Sequence, residues 1–196
     1  MTVRAPSTAR SRRTRAQLAE ATHQQLSSSG SLDPDAIAAG AGVSTATFYA
    51  HFASHDDAIA AALDIALTAI VGEVEQRLHI EALIEDGLDE VLRSLVRAMH
   101  NVFQNESLVL RVAQARVSSH RASREVYRSH EARSVEHLTR QIELGQKAGI
   151  LREGPPEKRA TSVLVLLQGL HNPLLTKKRI DPLIADDLQR AIRALL

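Results

Sequence analysis

Apolar residues recur at spacings of three and four along almost the whole chain, and no stretch alternates cleanly between apolar and polar residues. The first spacing places an apolar stripe along a helix, whereas a half-buried strand requires the alternation. Nine glycines and six prolines among 196 residues leave long segments uninterrupted. The pattern therefore predicts an all-α protein, long enough for one or two domains.

The breaks between these helical segments indicate how the chain is organised. Residues 1–10 carry no apolar stripe and are predicted to form a disordered, basic arm. A three-helix head is expected over 11–56, followed by a larger helical region over 57–196. The other helices are predicted over 12–27, 54–78, 83–103, 106–118, 122–147, 157–175 and from Pro182 onward, with Asp181 as the last cap.

Two short helices separated by a tight turn are predicted between the first and fourth helices. Asp33 is a suitable N-cap for the first of them, and Pro34 suits a position where no amide donor is needed. That helix is expected to stop at residues 40–42, Gly-Ala-Gly, because glycine readily adopts the left-handed conformation of a helix exit. Ser44 can cap the next helix at once. The arrangement is a helix-turn-helix, whose second helix enters the major groove in DNA-binding proteins.

The second of these helices carries an aromatic cluster, although only 3% of the chain is aromatic. Phe48 and Phe52 are four residues apart and share a face, so both are assigned to a small core. Tyr49 lies one position round the helix from Phe48, which leaves its hydroxyl free to reach the DNA backbone. His51 can also donate a hydrogen bond to phosphate. Short hydroxyl side chains can donate to phosphate or contact a thymine methyl, and Ser44, Thr45 and Thr47 supply them. The alternative is a capped helix with an aromatic core and no partner.

The charge of the chain is unevenly distributed. Five arginines and no carboxylate occur in the first eighteen residues, although the net charge is only +1. Such a basic arm is typical of chains that bind a polyanion. A solvated, disordered tail would have the same composition.

The segment IAAGAGVSTATFYAHFASHDDAI, residues 37–59, resembles the DNA-binding signature of the TetR family of bacterial transcriptional regulators. The family pattern is roughly Ile-Ala-x-x-Ala-Gly-Val-Ser, then x-x-Thr-Phe-Tyr-x-His-Phe, then a polar cap that opens the next helix. With the first helix included, the match extends over about 50 residues.

The resemblance implies roles for particular residues of the second helix. Thr47, Tyr49 and His51 take the phosphate-contacting positions, and Thr45 and Ala46 take the base-facing ones. His55 is a departure, because the family usually has a lysine just inside the fourth helix. An unprotonated histidine attracts phosphate less strongly, so we expect that contact to be weaker.

Residues 163–167, Val-Leu-Val-Leu-Leu, make the penultimate helix apolar all round. Such a helix requires burial on both faces, and a second subunit is an economical cover for one of them. The resemblance implies that the last two helices pair with those of a twofold mate in a four-helix bundle. The interface is predicted to contain Ser162, Val165, Leu166, Gly169, Leu188 and Ile192. The alternative is a helix at the centre of a monomeric core.

A stripe of polar residues follows the long helix over 122–147. Tyr127, His130, Ser134, His137 and Gln141 recur at spacings of three and four. If the stripe faces inward, it lines an effector pocket for a modest apolar or amphipathic ligand, together with Phe103 and Arg111. If it faces outward, it is a solvated surface.

Several classes of site are not expected. The chain has no cysteine, no glycine-rich phosphate loop followed by lysine and no serine elbow. His51 and His55 are four apart, but a predicted turn separates them and no third metal ligand is near in sequence. We therefore expect no metal, no cofactor and no enzymatic activity. The chain has no apolar run of about 18 residues and no apolar core of a secretory signal, so a cytoplasmic location is expected.

These features predict a homodimeric, sequence-specific DNA-binding transcriptional regulator. The favoured form is a repressor that a small-molecule effector releases from a palindromic operator. Two alternatives stay open, namely a helical ligand carrier or enzyme with a helix-turn-helix-like element, and an architectural DNA-binding protein without an inducer.

Overall fold

The computed structural model of the chain describes residues 8–176 and 179–196, and these ranges contain helices and no strand. The all-α prediction is confirmed. The helices in this described part are α1 (Ala9–Ser29), α2 (Pro34–Gly40), α3 (Thr45–His51), α4 (His55–Arg77), α5 (Ile80–Glu85), α6 (Leu88–Asn105), α7 (Ser107–Val117), α8 (Arg121–Lys147), α9 (Pro156–Gln168), α10 (Pro173–Thr176) and α11 (Pro182–Leu195), with a turn of 3-10 helix over Gly169–His171. None of them is both long and apolar enough to cross a membrane.

Two compact units are distinguished by their internal packing. Among the described residues, those from Thr8 to Thr68 pack with Glu106–Arg128, and we call this the head unit. The described residues of Ala69–Asn105 and Ser129–Leu196 pack together in the C-terminal unit. The division predicted between residues 56 and 57 concerns domains rather than packing, and it stays a prediction.

Helix α1 is longer than predicted at both ends. Thr8 caps its start, because the Thr8 hydroxyl accepts from the Ser11 amide at 3.2 Å. Gly30 ends it in the left-handed region at φ +67°, and its amide donates to the Leu26 carbonyl at 2.8 Å. Ala9 and Arg10, which were assigned to the disordered arm, are therefore helical, whereas residues 1–7 of that arm lie outside the described residues.

Two predicted helices are interrupted. The helix expected over 83–103 is divided into α5 and α6 at Gly87, whose φ of +79° is incompatible with a continuous right-handed helix. The helix expected over 157–175 ends at Gln168, and the chain continues through the 3-10 turn into α10. Pro173 disfavours helical geometry at Asn172, which is extended at ψ 130°.

The core of the head unit contains Phe48 of α3 and Phe52, the residue directly after α3, both fully buried. Their ring centroids lie 5.3 Å apart at 56°, a tilted contact that is favourable for aromatic pairs. Buried residues from the surrounding helices complete this cluster: Leu18, Ala19, Ile37, Ala38 and Ala58. The alanines give the two rings space against three different helices.

Ion pairs connect α7 and the start of α8 to the rest of the head unit. His23 Nε2 on α1 lies 2.7 Å from a carboxylate oxygen of Glu106, and both side chains are largely buried. The hydrogen bond to Glu106 raises the pKa of His23 above its usual value, although burial opposes the shift. Arg116 and His120 pair with the first turn of α4, to Asp56 at 2.8 Å and Asp57 at 3.2 Å respectively.

The C-terminal unit is built around α6. Nine residues of this helix are buried, and together they form an inward stripe. Helix α11 packs along α6 and buries Ile192 completely. From α9 the buried residues are Ala160, Val163 and Leu167.

Replacement of Glu106 by Gln is expected to make stability less dependent on pH. Because the folded-state pKa of His23 is raised, its stabilising contribution is fully present below the unfolded-state pKa, about 6.5, and is lost as pH rises through the folded-state pKa. Glu106→Gln should therefore cost about 1–3 kcal/mol near pH 5.5 and less at pH 8. Urea unfolding across this range measures the difference. Glu125→Gln, in an exposed pair with Arg121, is the control; a cost for Glu106→Gln that is constant with pH would contradict the assignment.

Candidate nucleic-acid interface

Helix α2 begins as the sequence predicts. The Asp33 carboxylate accepts from the amides of Asp35 at 3.0 Å and Ala36 at 3.4 Å, and Pro34 occupies the first helical position. Ile37 and Ala38 are buried and face the aromatic core. Local capping thus fixes where α2 starts, and its two buried residues fix which side faces inward.

The turn between α2 and α3 is made by Ala41, Gly42 and Val43. The amides of these residues donate to the carbonyls of α2 at 2.9, 3.0 and 2.9 Å respectively. Gly42 has φ +68°, a conformation that costs a residue with a Cβ about 1–2 kcal/mol. Ser44 then caps α3 by accepting from the Thr47 amide at 3.2 Å. The predicted helix-turn-helix is confirmed.

Helix α3 has a buried face and an exposed face. Burial of Phe48 and Phe52 turns the opposite side outward, where Ser44, Ala46 and Tyr49 are exposed. Thr45 and Thr47 are half-buried at the edges of this face. The assignment of the phenylalanines to the core was correct.

The hydroxyl groups at the start of α3 form hydrogen bonds within the protein. The Ser44 and Thr47 hydroxyl oxygens lie 3.0 Å apart. Thr45 donates its hydroxyl to the Asp35 carboxylate of α2 at 2.6 Å. Asp35 was missed by the sequence reasoning, because no spacing rule relates positions on two helices joined by a turn. Its carboxylate can accept from a cytosine amino group and would repel a phosphate.

Tyr49 and His55 form a second exposed pair. The Tyr49 hydroxyl lies 3.3 Å from His55 Nε2, and the two rings stack at 29° with centroids 6.3 Å apart. The sequence analysis left the Tyr49 hydroxyl free to reach DNA, and this stays a prediction for a side chain that is 49% exposed. The hydroxyl has a partner here, so a phosphate would have to share or displace His55.

His51 is held by α1. A guanidinium nitrogen of Arg15 donates to the His51 carbonyl, and the same guanidinium lies 4.5 Å from the centroid of the Phe52 ring. Burial, and secondarily the charge of Arg15, lowers the pKa of His51 below its usual value. His51 is therefore neutral at pH 7, so it can offer a phosphate a hydrogen bond rather than a positive charge.

The arginines of the N-terminal region have different structural roles. Arg15 is half-buried and is engaged with α3, whereas Arg10, Arg12 and Arg13 are exposed in the first turns of α1. Arg4 lies outside the described residues. Exposed guanidinium groups at the start of α1 and the exposed face of α3 belong to the same compact unit.

The polar stripe of α8 faces inward. His130, Ser134 and Gln141 are buried. Gln141 Oε1 accepts from the Ile80 amide at 2.9 Å, and His137 Nε2 donates to the Leu78 carbonyl at 2.9 Å. The alternative of a solvated stripe is therefore wrong. Two of its members satisfy backbone groups where α4 ends and α5 begins, which is a structural role.

The other three residues predicted for the effector pocket differ in burial. Phe103 is buried, and the centroid of its ring lies 5.6 Å from the centroid of the His171 ring. Tyr127 is half-buried on α8. Arg111 is exposed on α7, where its side chain lies beside Gly30 at the end of α1.

The residues predicted for a dimer interface fall into three classes of burial. Ser162, Val165 and Gly169 are exposed, and Leu166 and Leu188 are half-buried. Ile192 is completely buried within its own chain, so its assignment to the interface was wrong. The premise that α9 is apolar all round also requires correction, because Thr161 and Ser162 share its exposed side with Val165.

Comparison with known proteins identifies the fold. The sequence matches no family model and no curated protein. Among solved structures, a TetR-family transcriptional regulator from Mesorhizobium loti has a TM-score of 0.74 at 18% identity, covering 96% of this chain and 95% of the other. This chain has the TetR-family fold. A TetR-family regulator from a Rhodococcus species gives a TM-score of 0.68 at 21% identity, with coverage of 93% and 97%.

A further solved structure that is similar to this chain contains a ligand. It is a transcriptional regulator from Saccharomonospora viridis in complex with choline, with a TM-score of 0.66 at 22% identity and coverage of 93% and 95%. The resemblance of residues 37–59 to the TetR signature and the fold therefore agree on the architecture.

The two faces of α3 should respond differently to substitution. Phe48→Ala removes a fully buried ring and should destabilise the protein by about 3–5 kcal/mol. Tyr49→Phe keeps the ring and loses only an exposed hydrogen bond, so its effect should stay within about 0.5 kcal/mol. Denaturant unfolding of the two variants beside the parent measures both. Equal stabilities for Phe48→Ala and the parent would show that the buried face is wrongly assigned.

Proposed function

We propose that this chain is a homodimeric transcriptional regulator of the TetR family that binds a palindromic DNA operator and is released from it by a small-molecule effector. The observation that carries the proposal is the exposed face of α3. This face presents small hydroxyl side chains and Tyr49, while the opposite face packs in the aromatic core. Helix α3 is also the second helix of a helix-turn-helix, the helix that enters the major groove in such motifs.

The contacts to DNA divide into two kinds. Tyr49 with His55, together with Thr47 and His51, would contact phosphates and fix the register of the head. Thr45 and Ala46 would face base edges. Asp35 supports a more specific role for Thr45, because its carboxylate orients the hydroxyl at 2.6 Å and leaves the methyl group to face a thymine.

Dimerisation would use α9 and α11. Val165 on α9 is 60% exposed, and Leu183 and Ile184 on α11 are 72% and 42% exposed. These exposed apolar side chains can be covered by a second chain without any change in the fold of α9 or α11. Twofold symmetry would place two copies of α3 one DNA turn apart, which requires a palindromic operator.

Effector binding would involve the buried part of the α8 stripe. His130 and Ser134 bring polar groups into the interior of the C-terminal unit, where His100 and Gln141 are also buried, and Phe103 offers an aromatic wall. A regulator of the same fold has been solved with choline bound, which supports a small-molecule effector in this chain. An effector that binds more tightly to a conformation in which the two head units are wrongly placed for DNA lowers the DNA affinity. The reduction is limited to the difference between the binding free energies of the effector for the two conformations.

Selection of bound genomic fragments, followed by affinity measurement on a recovered operator and on random duplex, tests the function. Tyr49→Phe should weaken binding to both duplexes alike, by roughly 0.5–1.5 kcal/mol for the loss of one neutral hydrogen bond. Tyr127→Phe makes the same change in the other tyrosine of the chain, on α8, and should bind like the parent. A helical carrier or enzyme would retain no fragment, and an architectural protein would bind both duplexes equally.

Thr45→Val separates base readout from phosphate contact in the same assay. The change keeps the shape of the side chain but removes the hydroxyl that donates to Asp35. The operator preference should change, by about 1–3 kcal/mol per misread base pair, while affinity for random duplex is preserved. An equal loss on both duplexes would assign Thr45 to the phosphates instead.

Val165→Glu tests the dimer without disturbing the fold of one chain. Because Val165 is exposed, the charge costs little in a monomer but would be buried and unpaired in the proposed interface. Light scattering at micromolar concentration should give twice the chain mass of 21.4 kDa for the parent and a single chain for the variant. Ile84→Glu, at an apolar position of α5 that is 63% exposed, should leave the dimer intact. A monomeric parent would refute the homodimer.

A further inference from the structure

A basic cleft lies between α6 and α11 in the C-terminal unit. It has a volume of about 330 Å³, within the range of small-molecule sites. Its polar lining includes Arg93, Arg97 and Asn101 of α6, Asp186 and Gln189 of α11, and Arg179 from the segment before α11. We call it the α6–α11 cleft.

Helix periodicity explains why these side chains converge. Positions 93, 97 and 101 of α6 are four residues apart and lie on one side of that helix. On α11, Ala185 and Gln189 share the side on which Ile192 is buried. The packing of these two helices therefore places the guanidinium groups of Arg93 and Arg97 opposite a side of α11 whose one charged residue in the cleft is Asp186.

The arginines of the cleft are incompletely neutralised by the protein. Arg93 pairs with Glu90 within α6, in an exposed pair of the kind that contributes little. No carboxylate of the described residues forms an ion pair with Arg97 or Arg179. Asp186 is the one carboxylate in the lining, so the positive charge there exceeds the negative charge.

Several other arginines of the unit form ion pairs within the chain. Arg190 and Arg193, also on α11, pair with Asp187 and Asp89 respectively. Arg133 makes a two-pronged pair with Glu75, with both nitrogen–oxygen distances 2.7 Å. Arg97 and Arg179 have no carboxylate partner among the described residues, as is also true of Arg140 and Arg152 of this unit, but Arg97 and Arg179 line one cleft together.

The remaining lining indicates what kind of anion would fit. Val96, Ile180 and Ala185 give the cleft apolar walls next to the guanidinium groups. A guanidinium group recognises carboxylate and phosphate through two parallel hydrogen bonds, and the amide of Asn101 can add a further donor. A simple inorganic ion would leave the apolar walls uncovered.

We infer that the α6–α11 cleft binds a small organic anion, with a phosphate or carboxylate group on Arg97 and Arg179 and an apolar body against Val96 and Ile180. This site shares no residue with the α8 stripe proposed for the effector. It also lies on the α6 side of α11, whereas the exposed Leu183 and Ile184 are available to a partner chain. The inference does not depend on DNA binding.

Titration calorimetry of the full-length protein at constant ionic strength tests the site with three probes that share a benzene ring. Phenyl phosphate and benzoate carry the two candidate anionic groups, and benzyl alcohol carries none. We expect saturable binding of one anion or both below about 10 mM, and none of benzyl alcohol. The preferred anion identifies phosphate or carboxylate as the recognised group. Absence of saturable binding by both anions, or equal binding of benzyl alcohol, would overturn the inference.

Variants locate the binding. Arg97→Gln and Arg179→Gln should each lower the affinity for the anion at least about tenfold, because each removes a charged pair of hydrogen-bond donors. Arg140→Gln, an exposed arginine of α8 outside the cleft, should leave the affinity unchanged. Melting curves recorded beside the titrations check that all three variants are folded. Equal losses in all three variants, or no loss in either cleft variant, would assign the anion to another place.

Discussion

Burial of Phe48 and Phe52 is the constraint on which the rest of the head depends. The two rings fix the rotation of α3 about its axis, because both must face Leu18 and the small residues of the neighbouring helices. With that face fixed, Ala46 and Tyr49 can only point outward. The left-handed Gly42 then sets the angle at which α3 leaves α2, so a core of two rings determines what the protein can present to DNA.

Helix α1 connects α3 with α7 inside the head unit. Arg15, in its first half, holds the end of α3 through the His51 carbonyl and the Phe52 ring. His23, in its second half, is bound to Glu106 directly before α7. A displacement of α7 would therefore be transmitted along one rigid helix to the position of α3. Movement of α7 would cost the buried His23–Glu106 pair, and this cost depends on whether His23 is protonated.

The sequence predicts what local chemistry determines. Asp33 and Ser44 cap the helices that they were expected to cap, because an N-cap needs only the amides of its own first turn. The pairing of Thr45 with Asp35 could not be predicted, since it depends on the angle between two helices. Ile192 failed for a related reason: a stripe of apolar residues says that a face is buried, but not whether the same chain or a partner buries it.

The charges of this chain act locally. A net charge of +1 provides almost no long-range attraction for DNA, so binding would rest on the few groups that reach the phosphates. Tyr49 is a neutral donor, and burial, together with the charge of Arg15, lowers the pKa of His51 below its usual value and so favours its neutral form. A neutral donor holds a phosphate without displacing a counterion, so only the arginines at the start of α1 contribute strongly to the salt dependence, at roughly 0.9 of a counterion per phosphate neutralised. In the proposed complex, α3 would therefore supply mainly position and specificity, whereas the first turns of α1 would supply most of the ionic part of the affinity.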